Sequence, residues 1–365
     1  MAYHTTPYLL LFLPAALLFY QITPARWRSY TLLIFSYLFF WSFSEKLIIY
    51  LIGTTFLTHH ICIWMDTMDK RDKRKKRVFQ LGILLLLGTI LCLKYRNFFF
   101  GNVSKLAMVL HIDWSYQDQL IFLPIGISFY TLSAIGYMAD VYWGKVKAEY
   151  SLVKTALFLG FFPIIVEGPI CRWEDVESTL FKNESVKAAN VFKGSYRIIW
   201  GLFKKMIIAD RLAVLVDKVY VGYESYSGAV IVAAAISYTI QLYMEFSGCM
   251  DMVIGSAGLF GIHLPENFSQ PFFAKTCTDF WKRWHITLGV WFKNYIFYPV
   301  SISKTARKWN KFTRKHFKGD FGKYMARMGI AAMALFPVWI SNGLWHGPKW
   351  NYIFYGLYYF GLIFM

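Results

Sequence analysis

Long apolar runs, separated by short polar or basic segments, dominate the pattern along the chain. An α-helix needs roughly 20 residues to cross about 30 Å of hydrocarbon at 1.5 Å per residue, and most of the runs are close to that length. They cover residues 8–22, 30–43, 47–65, 78–95, 121–138, 152–170, 198–216, 229–246, 330–345 and 350–365. The pattern predicts an all-α polytopic membrane protein with about ten transmembrane helices.

Composition supports the same class, because 57% of the 365 residues are hydrophobic and only 16% are charged. We find no linker and no internal repeat, so residues 1–365 are predicted to form a single integral membrane domain. No basic region precedes the first run and no small-residue cleavage signature follows it, which favours a retained helix over a signal peptide. The sequence ends inside an apolar run, and the resemblance described below implies further spans beyond it.

The net charge of +18 comes from basic residues concentrated between the apolar runs. The densest segments are "KRDKRKKR" at 70–77 and the stretch 304–327. The positive-inside rule places both in the cytoplasm and, counting back, the N-terminus outside. Nucleic acid is not indicated as a partner; docking of an acidic carrier or of anionic lipid headgroups is the rival interpretation.

Two segments complete the predicted topology. Residues 96–119 are poor in Lys and Arg and are expected outside. Residues 281–300, "WKRWHITLGVWFKNYIFYPV", are apolar enough to span but carry positive charge at both ends. We therefore predict a re-entrant or interface-lying helix for 281–300, with Trp and Tyr at headgroup depth.

Ionisable residues within apolar runs are costly in a membrane and are functional candidates by default, with ion pairing inside the bundle as the structural alternative. The candidates are His346, His285, Glu167, Glu245, Asp251, Asp210 and Asp140. The two histidines are the most versatile, because imidazole accepts and returns a proton near neutral pH. For Glu245 and Asp251 the nearby Ser247 and Gly248 favour a packing role.

His346 follows a helical run that starts after the second basic segment. The 18 residues 328–345 cover about 27 Å, which places His346 far from the cytoplasmic face. Gly347 and Pro348 should end the helix directly after it. The residues alone leave two interpretations open: a general base, or an interfacial histidine that is hydrogen-bonded to a neighbour.

Metal and hydrolase chemistry lack sequence support. The five cysteines are scattered without a C-x-x-C pair, so neither a disulfide framework nor a zinc site is predicted. We find no G-x-S-x-G, H-E-x-x-H or P-loop motif. No metal or permanently bound cofactor is expected.

Six ordered blocks stand out along the chain: "FLPIGISFYTLSAIGYMADVYWG" (122–144), "FFPIIVEGPICRW" (161–173), "GLFKKMIIADRLA" (201–213), "QLYMEFSGCMDMVIG" (241–255), "LPENFSQPFFAKTCTDFWKRWHITLGVWFKNYIFYPV" (264–300) and "SNGLWHGPKWNYIFYGLYY" (341–359). In this order they resemble the bacterial membrane-bound O-acyltransferases, nearest to the alginate O-acetylation branch, with the D-alanyl transfer protein of teichoic acid modification as a close relative. The first hundred residues match mainly in hydropathy. After "IFYP" the chain departs from the branch and reads "VSISKTARKWNKF", which points to a divergent cell-wall or capsule acetylation system.

The resemblance implies a ring of helices around a central passage in the bacterial cytoplasmic membrane. It also implies transfer of an acyl group, most simply acetyl, from a cytoplasmic thioester such as acetyl-CoA. The acceptor would be an extracytoplasmic polysaccharide or cell-wall polymer, reached with the help of an extracytoplasmic acetyltransferase partner. D-alanyl transfer to teichoic acid is the alternative within the family.

The same resemblance assigns roles to individual residues. The histidine of its "WHG" block maps onto His346 as the general base, and that of "FWKRWH" onto His285, which would bind or orient the donor. We add Asn342 and Trp345 beside His346 as substrate-binding residues. From charge alone we add Lys282 and Arg283 for donor phosphates, and from its helix break Glu167 for a binding loop.

Two other classes remain open. A polytopic transporter or permease would also carry ionisable residues at broken helices, but it should show repeated halves, which we do not detect. A structural membrane scaffold would tolerate replacement of His346 by Gln or Phe.

Overall fold

The computed structural model describes residues 2–69 and 72–364, and its regular elements there are helices. The α-helices are α1 Leu13–Ile22, α2 Arg28–Ser44, α3 Ile48–Asp66, α4 Lys73–Ile90, α5 Arg96–Val109, α6 Ile127–Trp143, α7 Leu152–Gly160, α8 Trp173–Leu180, α9 Ala188–Leu202, α10 Asp210–Val221, α11 Gly228–Leu259, α12 Cys277–Arg283, α13 Ile286–Phe292, α14 Tyr298–Ser301, α15 Lys304–His316, α16 Gly319–His346 and α17 Trp350–Phe364. Short π-helical segments at Pro7–Phe12, Leu91–Tyr95, Phe203–Ala209 and Lys293–Phe297 extend or join several of them.

The predicted all-helical membrane protein is confirmed, but the count of ten spans is not. Within the described residues, four stretches are long and apolar enough to cross a membrane: Ala25–Asp66, Lys73–Val109, Gly228–Leu259 and Gly319–His346. Pro7–Ile22 is a shorter apolar helix. Several predicted runs form helices that are shorter, or more charged, than a simple span.

The predicted run 152–170 illustrates the difference. Helix α7 ends at Gly160, and residues 161–172 continue as turns and irregular backbone although most of them are buried. An apolar run indicates that its residues are buried, but buried residues need not form a continuous helix. Conversely, residues 96–109 form the helix α5, although the sequence predicted only an external connection over 96–119.

Helices group by their contacts into two compact units, each drawn from two parts of the sequence. The first unit comprises the described parts of residues 1–69 and 124–269, with α6 buried over most of its length. The second comprises those of residues 70–123 and 270–365. A single domain and a ring around a passage stay predictions.

Glycine pairs bring α9 and α11 of the first unit into backbone contact. A Cβ atom on Gly201 would lie 2.5 Å from the carbonyl oxygen of Gly248, and one on Gly194 would lie 2.8 Å from that of Gly255. Small residues at such crossings allow the close approach by which membrane helices associate. The predicted packing role of the patch around Gly248 is therefore confirmed.

Ion pairs account for most of the acidic candidates in the first unit. Asp251 Oδ1 lies 3.0 Å from Arg197 Nε, and its Oδ2 lies 2.6 Å from Lys204 Nζ. Lys205 Nζ lies 2.8 Å from Glu245 Oε1 and 2.7 Å from Asp210 Oδ1. Pairing of this kind offsets the cost of a charge at membrane depth, so these acids have a structural role.

Helix α15 packs on α16 within the second unit. The indole of Trp309 donates a hydrogen bond to the carbonyl of Met325 at 3.2 Å and lies against Gly329, where any Cβ would overlap the ring. Basic residues cover the rest of α15, whose sequence is KTARKWNKFTRKH. The first part of the second basic segment, Lys304–His316, is therefore an amphipathic helix that packs on α16 through Trp309, and the segment continues into the first turns of α16.

The glycine contacts predict the stability of two alanine variants. Gly201→Ala should destabilise the protein by about 1–3 kcal/mol, because the new methyl group meets the α11 backbone. Gly53→Ala in α3 is the matched control, since no atom lies within 4 Å of its Cβ position and alanine favours helix by up to about 1 kcal/mol. Thermal unfolding of purified protein measures both; an unchanged midpoint for Gly201→Ala would contradict the packing argument.

Candidate active site

His346 is the last residue of α16, as the sequence predicted. The helix stops there because Gly347 adopts extended backbone and Pro348 has no N–H to continue the hydrogen-bond pattern. The His346 side chain is exposed, whereas Asn342, one turn earlier, is buried. An imidazole at a helix end is thus accessible to a substrate while its helix is fixed by packing.

Two glycines hold α16 and α17 together close to His346. A Cβ on Gly343 would collide with the carbonyl oxygen of Tyr352, and one on Gly356 with that of Trp339. This contact places the first turns of α17 beside the last turns of α16. Tyr352 and Tyr355 consequently flank the imidazole of His346, with ring centroids 6.0 and 5.6 Å away.

The segment between α4 and α5 satisfies the free carbonyl groups at the end of α16. Lys94 Nζ donates to the carbonyl oxygen of Trp345 at 2.7 Å, and the hydroxyl of Tyr95 donates to that of Leu344. The last carbonyls of a helix lack intrahelical partners and carry partial negative charge, which an ammonium group complements. Lys94 and Tyr95 therefore fix the backbone immediately before His346.

His285 occupies the break between α12 and α13. Its backbone lies in the left-handed region at φ 47° and ψ 52°, and its side chain is buried. Asn, Asp and His enter this region more readily than other non-glycine residues, yet the conformation still costs energy that surrounding contacts must offset. Strain of this kind is frequent at functional sites and supports a special role for His285.

A cavity of about 410 Å³ in the second unit is lined by both histidines. Its wall is mostly apolar, with Trp281, Trp339 and Leu335 among the lining residues. Asn342 and Lys282 also reach it. A mainly apolar pocket with a few convergent polar groups is the usual form of a small-molecule site.

The electrostatics of the pocket keep His285 neutral. His285 lies outside the four candidate spans, and burial, followed by the influence of His346, lowers its pKa well below the ordinary value. A neutral imidazole retains both a donor and an acceptor nitrogen. His285 can therefore orient a carbonyl or thioester without adding a charge to the cavity.

Aromatic rings support the wall below the two histidines. The Trp281 ring centroid lies 5.0 Å from that of Trp339 and 4.9 Å from that of Tyr359, both edge-on. Tyr355 connects this group to His346, with its centroid 5.0 Å from Tyr359. The rings pack against one another, and Trp281 and Trp339 form part of the apolar wall of the pocket.

The structure brings together four of the seven predicted site residues. His346, His285, Asn342 and Lys282 line the one cavity. Arg283 is not among the lining residues; its Nε lies 3.1 Å from Asp279 Oδ1, and this hydrogen bond lowers the pKa of the Asp279 carboxyl. Because helical neighbours point in different directions, adjacent cations need not share a site.

Trp345 and Glu167 have other surroundings. The carbonyl of Trp345 accepts from Lys94, whose ammonium also lies 5.6 Å from the Trp345 ring centroid. Glu167 belongs to the first unit, where the thiol of Cys249 lies 3.6 Å from its Oε2. The functional roles assigned to all seven residues stay predictions.

Sequence reasoning missed Lys94 and Tyr95. Lys94 is an ionisable residue inside the predicted span 78–95, so the rule that selected the other candidates could have found it. The same rule would not have selected Tyr95, because its hydroxyl carries no formal charge at neutral pH. No group of three or more potential metal ligands occurs in the described part of the chain, and we assign no metal site.

Comparison with known proteins identifies the family. The sequence pattern described as MBOAT, membrane-bound O-acyltransferase family, matches residues 146–314, which include His285. A probable alginate O-acetylase of Pseudomonas putida is 31% identical over 359 residues, 98% of this chain and 69% of the relative. A peptidoglycan O-acetyltransferase of Helicobacter pylori is 28% identical over 392 residues, covering 97% and 68%.

A third relative extends the range of acyl groups. The teichoic acid D-alanyltransferase of Bacillus subtilis is 29% identical over 241 residues, which cover 64% of this chain and 56% of that protein. The chain spans about two thirds of the length of the alginate O-acetylases that it matches. The predicted resemblance is confirmed, and the chain belongs to the membrane-bound O-acyltransferase family.

Proposed function

We propose that this protein moves an acyl group, most simply acetyl, from a thioester donor to an acceptor hydroxyl, for O-acylation of an extracytoplasmic polysaccharide or cell-wall polymer. The acyltransferase class follows from the family. Relatives named for alginate, peptidoglycan and teichoic acid support an acceptor of this kind. The observation that carries the proposal is one apolar cavity lined by both His285 and His346.

The proposed reaction is a direct acyl exchange. His346 takes the proton from the acceptor hydroxyl while the oxygen attacks the thioester carbonyl. The tetrahedral intermediate then collapses, the carbon–sulfur bond breaks, and the imidazolium returns the proton to the leaving thiolate. Ester and free thiol are the products, and general base catalysis of this kind contributes typically about 10² to 10⁴ in rate.

The cavity supplies the conditions for that exchange. Its mostly apolar wall would disfavour water that would hydrolyse the thioester, and the buried amide of Asn342 lines the same cavity. His285 would orient the acyl carbonyl, and Lys282 would attract the negative charge of a donor such as acetyl-CoA. The donor is a substrate, and the proposal needs no resident cofactor.

The proposed topology places donor and acceptor on opposite sides of the bacterial cytoplasmic membrane. Helix α16 is 28 residues, or about 42 Å, long; it starts next to the basic helix α15 and ends at His346. Basic segments favour the cytoplasm and contact with anionic lipid, which leaves His346 near the outer side and the N-terminus outside. An extracytoplasmic acetyltransferase would be the partner that completes transfer to the polymer.

Replacement of His346 tests the proposed base. His346→Ala should reduce ester-linked acetyl on exported polymer by about 10² to 10⁴ in rate, because the hydroxyl keeps its proton. His263→Ala is the matched control, since that side chain is exposed. Acetyl release from purified polymer after mild alkali is the measurement, with membrane protein levels determined in parallel. Unchanged ester at an equal protein level would rule out the mechanism.

A second substitution separates the chemistry of His285 from its backbone. His285→Asn should preserve the left-handed turn, because asparagine tolerates that conformation, while it removes the imidazole. We expect the apparent KM for acetyl-CoA to rise by roughly tenfold, the equivalent of one lost hydrogen bond to a charged or strongly polar group. Donor titrations with purified protein measure this change; an unaltered KM and kcat would show that His285 has only a structural role.

Tyr95→Phe tests whether fixation of the α16 end matters to catalysis. Loss of the hydrogen bond to Leu344 should lower kcat by roughly fivefold to tenfold, because a small displacement of His346 misaligns proton transfer. Tyr358→Phe in α17 is the control, since Tyr358 is exposed and its recorded contact is with the ring of Tyr359. Equal kcat values for the two variants would refute the positioning role.

A further inference from the structure

A glycine lies in the wall of the cavity that contains the two histidines. Gly289 is in the middle of α13 and is among the residues that line this cavity of about 410 Å³. It is exposed, whereas Thr287, Leu288 and Trp291 of the same helix are buried. Helix α13 therefore packs through its other residues and leaves its backbone open at Gly289.

Neither of the usual structural reasons for a glycine applies at this position. The backbone of Gly289 is ordinary helix, which every L-residue can adopt. A Cβ atom on it would have the carbonyl oxygen of Trp281 as its nearest described neighbour outside the adjoining backbone, at an unstrained 3.7 Å. Glycine is less favourable than alanine inside a helix. What this glycine provides is therefore room beside the backbone, and that room belongs to the cavity.

Backbone hydrogen bonds align His285, Gly289 and Lys293 along one face of α13. The N–H of Gly289 donates to the carbonyl of His285 at 3.1 Å, and the N–H of Lys293 donates to the carbonyl of Gly289. Residues four apart lie on the same helical face, separated by about 6 Å along the axis. All three residues line the cavity, so Gly289 lies between a cation and the buried imidazole.

Lysine side chains give this face a positive end. Lys293 is exposed, and its Nζ lies 5.6 Å from the centroid of the Tyr298 ring. Lys282 of α12 is also exposed and lines the same cavity. Lys293 was not among the residues selected from the sequence, where Arg283 was paired with Lys282 instead. The structure places Lys293 on the cavity wall with Lys282.

Apolar side chains flank the open backbone of Gly289. Val290 and Phe297 line the cavity on the α13 side, and α16 contributes Leu335 and Val338. The polar groups of the cavity are therefore the two exposed lysines and, further in, the buried side chains of His285 and Asn342. Between these polar regions the wall is apolar and, at Gly289, has no side chain.

We propose that Gly289 determines the size of the donor that the cavity accepts, because its missing side chain leaves room for the slender arm that carries the thioester. The proposal rests on the proposed function, since it concerns the donor of the same reaction. The arm would lie along α13, with an anionic group of the donor near Lys293 and the acyl thioester at His285. A side chain at position 289 would fill the space between these two ends.

The arrangement of polar groups favours a thioester arm over a lipid tail or a water channel. A lipid tail would leave the buried polar side chains of His285 and Asn342 without a partner from the ligand. A water channel would not be lined mostly by apolar side chains. A donor such as acetyl-CoA has phosphates at one end, a thin flexible arm and a small polar thioester at the other, which matches the cavity from Lys293 to His285.

Binding of CoA, which carries no acyl group, tests the proposal separately from catalysis. CoA is titrated by calorimetry against the purified full-length protein in lipid nanodiscs. Gly289→Leu should weaken binding roughly tenfold to hundredfold, because the new side chain occupies the space of the arm. Gly53→Leu in α3 is the matched control. It adds the same side chain to a helical glycine whose Cβ position has no atom within 4 Å, and it should leave the affinity unchanged.

Gly289→Ala separates a role in binding from a role in the fold. Its thermal unfolding midpoint should rise, because alanine favours helix and its methyl group meets no close neighbour. CoA binding should nevertheless weaken roughly twofold to fivefold, since the methyl group narrows the cavity. A glycine that served only the packing of α13 would show the reverse, a lower midpoint and an unchanged affinity of the folded protein.

Lys293→Gln tests the positive end of the same face. CoA binding should weaken roughly twofold to fivefold and become less sensitive to added salt, as loss of one exposed charge contact predicts. Lys193→Gln removes the same charge from an exposed position in the first unit and should change neither quantity.

The outcomes separate this proposal from the proposed function. Absence of CoA binding by the wild-type protein, or equal affinity of the Gly289→Leu and Gly53→Leu variants, overturns the role of Gly289 whatever the transferase activity is. A graded loss from glycine through alanine to leucine at position 289 supports it, even if acetyl transfer through His346 fails its own test. If Gly289→Leu does not fold, Gly289→Ala decides: an unchanged affinity overturns the proposal.

Discussion

Contact between helix backbones at glycine is the constraint on which the described architecture depends. It recurs in both units: Gly201 meets Gly248 between α9 and α11, and Gly343 meets Tyr352 between α16 and α17. In hydrocarbon the helices gain little from apolar burial alone, so close packing of small residues has to supply the association energy. Without the second crossing, Tyr352 and Tyr355 would not flank His346.

Charge is distributed by a second rule. In the first unit the acids found in apolar runs are neutralised by Arg197, Lys204 and Lys205, and they form a network that links α9, α10 and α11. In the second unit the buried histidine is kept neutral by burial. Ionic groups thus stabilise the first unit, while a neutral imidazole, that of His285, lines the cavity of the second unit.

Particular residues show how much of the fold and the site could be predicted from the sequence. It predicted helices, the break after His346 and the shared surface of His346 and Asn342, because hydropathy, Gly-Pro punctuation and i, i+4 spacing are local signals. It did not predict the left-handed backbone of His285 or the support from Lys94 and Tyr95. The support from Lys94 and Tyr95 depends on contacts between segments about 250 positions apart, which no local pattern records.

The predicted span 152–170 shows a further limit of local sequence patterns. Hydrophobicity correctly indicated burial but could not show that the backbone leaves the helix at Gly160. The partner of Arg283 was not predicted, although its i, i+4 spacing from Asp279 is a local signal. Arg283 was grouped with Lys282 by adjacency, yet it pairs with Asp279 one turn earlier on α12.

The left-handed backbone at His285 has a consequence for the evolution of this site. Among residues that enter that conformation readily, glycine has no side-chain polar group, aspartate is an anion at neutral pH, and histidine supplies an imidazole that keeps a donor and an acceptor nitrogen while neutral. Backbone geometry and the proposed donor-binding role therefore favour the same amino acid. A descendant that loses the chemistry but keeps the fold is expected to change first to asparagine, aspartate or glycine, so the residue found here in divergent copies would record whether the imidazole is still in use.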